Sequence, residues 1–427
     1  MELAPNQNVD LVSGDHATVI EELGRGGQGI VYRVDINGKQ MALKWYSKPP
    51  ADADDFYKNL QRNIHYKAPS EAFIWPLDLT VKNNDCFGYV MRLRPDGYSE
   101  FGSYLLNKSR FKSFDAMFTA AMKICDGFKY LHRQGYSYQD LNDGNFFINP
   151  ETGDVLICDN DNVVADGQKS GIRGKARYMA PEVVLGGLPN KYSDRFSLSV
   201  VLFMLFFANH PFEGSRVSGC PCMTEDYEKK FYGSEAVFIF DPVNRYNRPV
   251  PGKHVNVLRR WPVFPGVLKD VFVQEFSQEK LKDPTKRITE SEWEPIIARA
   301  RDTLVVCPHC GEETFFELDK DIKKCMDCGE NIDIPQVLSI SGTRDIPLTA
   351  GSKIFIDMDT VPEAAVVNDD KGRIWLRNIS SEQWRVVTHS GKTKLVNNNE
   401  VMPAKEGLDI TFRVSGSDYK AVIRNNQ

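Results

Sequence analysis

No run among the 427 residues is long and apolar enough to cross a bilayer. The longest, LSVVLFMLFFA at 198–208, is about half a membrane span and is expected to be a buried core helix. Surplus positive charge is also lacking. Lys and Arg total 53 against 58 Asp and Glu, a formal net charge of −5, so nothing argues for a nucleic-acid or anionic-membrane partner. The opening MELAPNQNVDLVSGD has neither a basic start nor an apolar stretch, so a secretory leader is not expected and a cytoplasmic location is. Cysteines number nine, and Cys86, Cys125 and Cys158 stand singly in apolar contexts, where free buried thiols are expected. Internal repeats and low-complexity tracts are missing as well.

What is present is an ordinary folded composition, 41% hydrophobic and 26% charged, on a chain longer than one core usually serves, so two or three domains are expected. Residues 18–46 alternate like strands, with a glycine cluster between VIEEL and IVYRV and a hairpin-type Asn37-Gly38 before MALKW. Helical spacing follows in DDFYKNLQRNIHYK at 54–67, and again at 113–134, where Ser113 is a plausible cap. After about residue 300 the character changes. A short cysteine-rich segment precedes residues 340–427, which are rich in Val, Ile, Thr, Gly and Asn with closely spaced turns and read as all-β.

LGRGGQGIVY at 23–32 places Gly24, Gly26, Gly29 and then Val31 between two strands. Such a loop can fold over nucleotide phosphates, because the missing Cβ atoms let backbone N–H groups approach the oxygens; a plain hairpin turn is the alternative. A dinucleotide-binding loop needs a helix after its third glycine, and IVYRVDING does not look like one. MALK then puts Lys44 on the next strand, within reach of phosphates under the loop. In YSYQDLNDGNFFI at 136–148, Asp140 can accept the proton of a substrate hydroxyl, and the amide oxygen of Asn145 can ligate a divalent metal. Asp159, in LICDNDN, offers a second metal ligand.

These elements are followed by MAPE at 179–182, YSDRFSLSVVLF around Asp194, HPFEG at 210–214 and DPTKRIT. In that order the chain resembles the protein kinase superfamily over roughly residues 15–300. The resemblance implies an α+β, bilobal fold, with ATP and Mg²⁺ or Mn²⁺ as cofactors. It makes Asp140 and Lys44 catalytic and gives nucleotide contacts to Gly24, Gly26, Gly29, Val31, Lys44, Met91, Arg92, Leu93, Asn145 and Asp159. Met91 in FGYVM occupies the gatekeeper position and Arg92 to Arg94 the hinge, and Arg287 becomes the ion-pair partner of Glu182.

Five departures from the family pattern stand out. The segment 56–67 has no acidic residue to pair with Lys44. By spacing Asn63 is the nearest substitute, then Gln61; Asp54 or Asp55 could serve if the helix is displaced, or the helix swings in only when a partner binds. Gln139 replaces an arginine that meets loop phosphates, so switching by loop phosphorylation is not expected. Tyr138 replaces a histidine as a neutral core exchange. Asn160-Asp161 replaces Phe-Gly, which makes Asp161 either a third metal ligand or a turn-capping aspartate. Asn142 replaces a lysine, while Lys175 stands in the later loop. We expect an exchange, in which Lys175 stabilises charge on the transferred phosphoryl and Asn142 hydrogen-bonds to it. The alternative is a solvated Lys175 in a basic loop with Lys169, Arg173 and Arg177.

Cys307, Cys310, Cys325 and Cys328 form two CxxC pairs separated by fourteen residues, the spacing of a zinc ribbon with four thiolates and no open position. The zinc is therefore expected to be structural, with His309 exposed. Residues 347–423 resemble a forkhead-associated sandwich through LRNIS and GLDITF, without the arginine and Ser-x-x-His of phosphopeptide-binding members; a generic β-sandwich is the alternative. The expected domains are 1–302 kinase-like, 303–338 zinc ribbon and 339–427 an all-β sandwich. The expected function is a protein Ser/Thr kinase acting on a protein substrate, with a nucleotide-binding pseudokinase scaffold and a small-molecule phosphotransferase as rivals. The combination is similar to a bacterial subgroup, which implies a von Willebrand A-type protein and a metal-dependent phosphatase as partners.

Overall fold

Asn37 and Gly38 both adopt positive φ, 54° and 81°, so the chain reverses in two residues between strands β3 (Ile30–Ile36) and β4 (Lys39–Tyr46). The computed structural model describes residues 2–27, 29–48, 53–83, 86–168, 174–319, 324–357 and 360–426; Lys169 and Arg173 of the basic loop lie outside them. With β1 (Asn8–Asp10), β2 (His16–Arg25), β5 (Asp78–Leu79) and β6 (Phe87–Met91), the two strands build an antiparallel sheet in the order β1-β2-β3-β4-β6-β5. Helix α1 (Ala53–Tyr66) covers its inner face with Phe56 and Leu60, Phe56 meeting the Tyr46 ring edge-on at 5.2 Å.

The second lobe is helical. Its long helix, Phe114–Arg133, starts where the Ser113 hydroxyl accepts the Ala116 N–H at 3.0 Å. Beside it runs the helix Lys191–Phe207, which carries the apolar run seen in the sequence; every residue from Ser197 to Phe207 is buried, as a core helix requires. Among the described residues no helix is long and apolar enough to cross a membrane. Phe128, Phe203, Phe207, Phe272 and Trp293 fill the space between these helices and Glu290–Asp302.

Two buried polar ties fix this lobe. Arg287 grips Glu182 through two bonds of 2.7 Å, the pair expected from the motif order. Asp194 accepts the N–H groups of Tyr138 (2.6 Å) and Gln139 (3.0 Å), holding the backbone just before Asp140, where Gln139 has a left-handed φ of 71°.

Beyond residue 302, the strands Leu304–Val306 and Glu313–Phe315 pair below the cysteine cluster. Two sheets then close on one apolar core. One has six strands, running Arg344–Pro347, Gln336–Ile340, Ser417–Asn425, Asp409–Val414, Trp384–Val387 and Thr393–Val396. The other has four, Lys353–Ile354, Ala364–Asn368, Ile374–Asn378 and Val401–Pro403.

His132 sits between Glu290 (2.8 Å) and Asp194 (3.1 Å) with its side chain almost wholly covered. Burial works against its charge, but the two carboxylates outweigh that and raise its pKa to about 9. An unfolded histidine titrates near pH 6.5 (about one unit of scatter). The stabilisation is therefore complete below about pH 6.5 and lost as pH rises through about 9. Thermal denaturation midpoints should fall across that window, and His132→Gln should flatten the fall; an unchanged slope in the variant would exclude His132 as its source.

Candidate active site

The glycine loop closes where the Gly26 N–H donates to the Gly29 carbonyl at 2.9 Å. A Cβ on Gly29 would stand 2.6 Å from the Trp45 carbonyl oxygen, so the approach of β4 demands glycine there. Among the described residues a Cβ at Gly24 would meet nothing within 4 Å, and at Gly26 its nearest neighbour would be 3.9 Å away, so no described contact requires those glycines. Their bare backbones are exposed at the cleft. Val31, Met91, Leu93 and Phe147 share an apolar cluster with Ala42 and Leu156, drawn from both lobes and suited to a flat heteroaromatic ring. The Arg94 guanidinium lies 4.2 Å from the centre of the Phe147 ring. Arg92 turns its side chain to the Glu71 carbonyl at 2.7 Å, leaving its main chain to the cleft.

Lys44 is 4% exposed, and a buried ammonium needs a counter-charge. It bonds Asp161 Oδ2 at 2.8 Å and Asp159 Oδ1 at 3.2 Å. Burial disfavours its charge, yet the charges of Asp161 and Asp159 hold the pKa above the ordinary lysine value. The expectation for Asn63 is thereby corrected. Its amide nitrogen donates to the Val163 carbonyl at 3.0 Å, as does that of Asn59 at 2.8 Å, and among the described residues neither amide oxygen has a hydrogen-bond partner. Asp54 pairs with Lys82, Asp55 with Lys58, and Gln61 is exposed. The reason is steric economy: the residue two positions after Asp159 brings a carboxylate into the cleft floor, and α1 grips backbone instead.

Asp140 lies across the cleft on the loop fixed by Asp194. Burial pushes its carboxyl up to about 6, opposed by the Asn142 hydrogen bond and the Lys175 charge and reinforced by Asp159 and Asp161. Asn142 Nδ2 donates to Asp140 Oδ1 at 3.2 Å, and its Oδ1 accepts from Lys175 Nζ at 2.9 Å, so the structure joins the pair singled out in the sequence. Lys175 also meets Asp143 at 3.2 Å, with a side chain 56% exposed. Asn145 spends its amide hydrogens on Tyr138 Oη (3.0 Å) and the Asp140 carbonyl (3.1 Å). Its backbone carbonyl accepts the N–H of Cys158 at 2.8 Å, next to Asp159, whose side chain is 46% exposed. One carboxylate and one amide oxygen form a hard donor set that fits Mg²⁺ or Mn²⁺.

Sequence reasoning missed several participants. Tyr46 hydrogen-bonds Asp161 from the buried end of β4, and its spacing of two from Lys44 on a strand was a usable signal. Asn162 reaches Asp140 Oδ2 at 3.4 Å, and Asp143 reaches Lys175; neither had a signal beyond proximity to a motif.

A profile of the protein kinase domain matches residues 17–237. The chain belongs to the protein kinase family. It is 29% identical over 209 residues to protein kinase C delta type of rat, covering 47% of this chain and 30% of that protein. It is 30% identical over 204 residues to a cGMP-dependent protein kinase of Drosophila melanogaster, isozyme 2 forms cD5/T2, covering 46% of this chain and 21% of the relative. A further match is a probable serine/threonine-protein kinase of fission yeast, 34% identical over 113 residues, 24% of this chain and 14% of the relative. The chain thus spans under a third of the length of these relatives.

In the second candidate centre the sulfurs of Cys307, Cys310, Cys325 and Cys328 all lie within 4.8 Å of one another. Sγ of Cys307 is 3.8 Å from that of Cys328, and Cys310 is 3.7 Å from Cys325. A tetrahedron with Zn–S bonds of about 2.3 Å has edges of about 3.8 Å, so the cluster fits zinc. Gly311 and Gly329 turn with φ of 79° and 75°, as a knuckle requires, and His309 is exposed. Elemental analysis should find a single zinc ion per chain. Cys325→Ser should abolish it and lower the thermal midpoint by several degrees, an effect that a strong chelator reproduces in the parent protein; a metal-free parent of unchanged stability would refute the zinc site.

Proposed function

We propose that this protein transfers the γ-phosphoryl group of ATP to a serine or threonine hydroxyl of a protein substrate. The observation that carries the reading is convergence. Lys44 bonds Asp159, Asn145 donates to the carbonyl of Asp140, and the charges of Asp159 and Asp161 act on Asp140, although these residues come from distant parts of the chain. Asp140 orients the acceptor hydroxyl and takes up its proton, a task suited to a carboxyl with a raised pKa. Asn145 and Asp159 are assigned to Mg²⁺ or Mn²⁺, which when bound neutralises phosphate charge. Lys44 holds the phosphates, and the backbone of Gly24, Gly26 and Gly29 covers them. Val31, Met91, Leu93 and the main chain of Arg92 receive the base.

Lys175 supplies a cation whose charge acts on Asp140, and Asn142 couples the two through its amide. The likeness to a probable serine/threonine-protein kinase of fission yeast supports this acceptor type. We also divide the chain into a kinase domain at 1–302, a zinc ribbon at 303–338 and a forkhead-associated-like sandwich at 339–427 used for docking. A cytoplasmic location belongs to the same reading. So do a von Willebrand A-type protein and a metal-dependent phosphatase as partners, both from the family resemblance.

Transfer of label from γ-labelled ATP by the full chain, with Mg²⁺ or Mn²⁺, tests the proposal. Asp140→Asn should reduce transfer by about 10³-fold or more while nucleotide still binds. Lys175→Met should lower kcat about 10²-fold with little change in substrate KM. Nucleotide binding without transfer to any of a range of protein substrates would favour a scaffold instead, and near-normal turnover by Lys175→Met would remove that lysine from the chemistry.

A further inference from the structure

The two carboxylates at Lys44 are not equivalent. Asp159 is partly exposed, its side chain at 46%, whereas Asp161 is fully buried at 0% and its Oδ2 is held by both Lys44 and the Tyr46 hydroxyl. The difference arises from one tight turn. Asp159 adopts the left-handed conformation (φ 53°, ψ 46°) and caps a short 3₁₀ turn, Asn160–Asn162. Asn160 pins that turn by donating to the carbonyls of Ile74 (2.8 Å) and Ile157 (3.0 Å). Asp159 is left facing the cleft, and Asp161 projects inward beneath Lys44.

Helix α1 reaches the same turn by another route. Asn59 and Asn63 both donate to the carbonyl of Val163, the residue after the turn. The helix thus holds the turn and the turn holds the lysine.

We propose that Asp161, standing where the family carries glycine, is the permanent counter-ion that positions Lys44, so that no acidic residue of α1 and no inward swing of that helix is needed. The inference rests on the reading of Lys44 as the phosphate anchor. It assigns Asp159 alone of the two carboxylates to the metal. With Asp159 given to a metal, Lys44 and Asp161 would remain a neutral pair, held by the Tyr46 hydrogen bond to Asp161. Asp161 is accordingly a positioning residue, acting on phosphate through Lys44.

The test combines a stability cycle on nucleotide-free protein with kinetics of the full chain. Lys44→Met leaves Asp161 buried without its cation, and Asp161→Asn leaves the ammonium without its closest anion, so each should lower the thermal midpoint. The double variant should be no less stable than the worse single variant, and additive losses would overturn the pairing. In kinetics, Asp161→Asn should lower kcat about 10- to 100-fold while the Mg²⁺ concentration for half-maximal rate stays unchanged. A raised metal requirement would place Asp161 in the metal shell, and an unchanged kcat would deny it any positioning role; either result overturns the proposal. If the parent protein transfers no phosphoryl group, the reading of the site has failed, and the stability cycle still decides whether Asp161 holds Lys44.

Discussion

A lysine side chain 95% removed from solvent cannot stay charged without an anion at contact distance, and Lys44 has two. This requirement organises the cleft. The ammonium comes from the sheet of the upper lobe and the carboxylates from a turn on the lower one, so their bond ties the lobes together across 117 positions of sequence. Separating such a pair by removing one partner costs about 3–5 kcal/mol, which is why the surrounding groups are arranged to keep it intact. Tyr46 adds a second hydrogen bond to Asp161 Oδ2, Asn160 anchors the turn, and two helix amides hold the carbonyl that follows it.

The other side of the cleft rests on Asp194. Its carboxylate accepts two backbone N–H groups, and it also meets His132, which Glu290 holds from the far side. Three helices of the lower lobe thus converge on the loop that carries Asp140. The strained Gln139 can persist there because its neighbours determine its conformation. Asp140 is positioned by backbone geometry, while Asn142 and Lys175 tune its surroundings through side chains alone.

Much of this was legible in the sequence, where residue type and spacing carried the information. Alternation and the Asn-Gly turn gave the upper sheet, and the length of the apolar run at 198–208 separated a core helix from a membrane span. Motif order singled out Lys44, Asp140, Asn145 and Asp159 as candidates, and the coupled departures at 142 and 175 foretold a hydrogen bond that the structure contains. The partner of Lys44 was misjudged because the search followed the helix on which such an acid normally lies. Asp161 was already noted for the metal; which of its neighbours claims it depends on the handedness of one residue, φ 53° at Asp159, and no local propensity encodes that choice. Tyr46 was overlooked because a buried tyrosine on a strand reads as packing until a buried carboxylate is known to face it.

The C-terminal modules are built into the lower lobe and are not strung behind it. Phe315, from the second strand of the ribbon, packs against Phe114, Phe118 and Phe264, with ring centres 5.0, 6.1 and 4.9 Å away. Glu313 accepts the Phe114 N–H in the first turn of the long helix, and Glu317 accepts that of Gly266 at 2.7 Å at the start of another. The sandwich adds Arg344, paired with Asp302 through two bonds of 2.7 Å, and Lys353, paired with Asp115 at 2.7 Å. These contacts gather at the N-terminal end of the helix Phe114–Arg133, whose other end leads into the loop bearing Asp140. The helix of 20 residues therefore lies between the C-terminal contacts and the loop that bears Asp140. The segment that carries the four-cysteine cluster thus packs against one end of that helix.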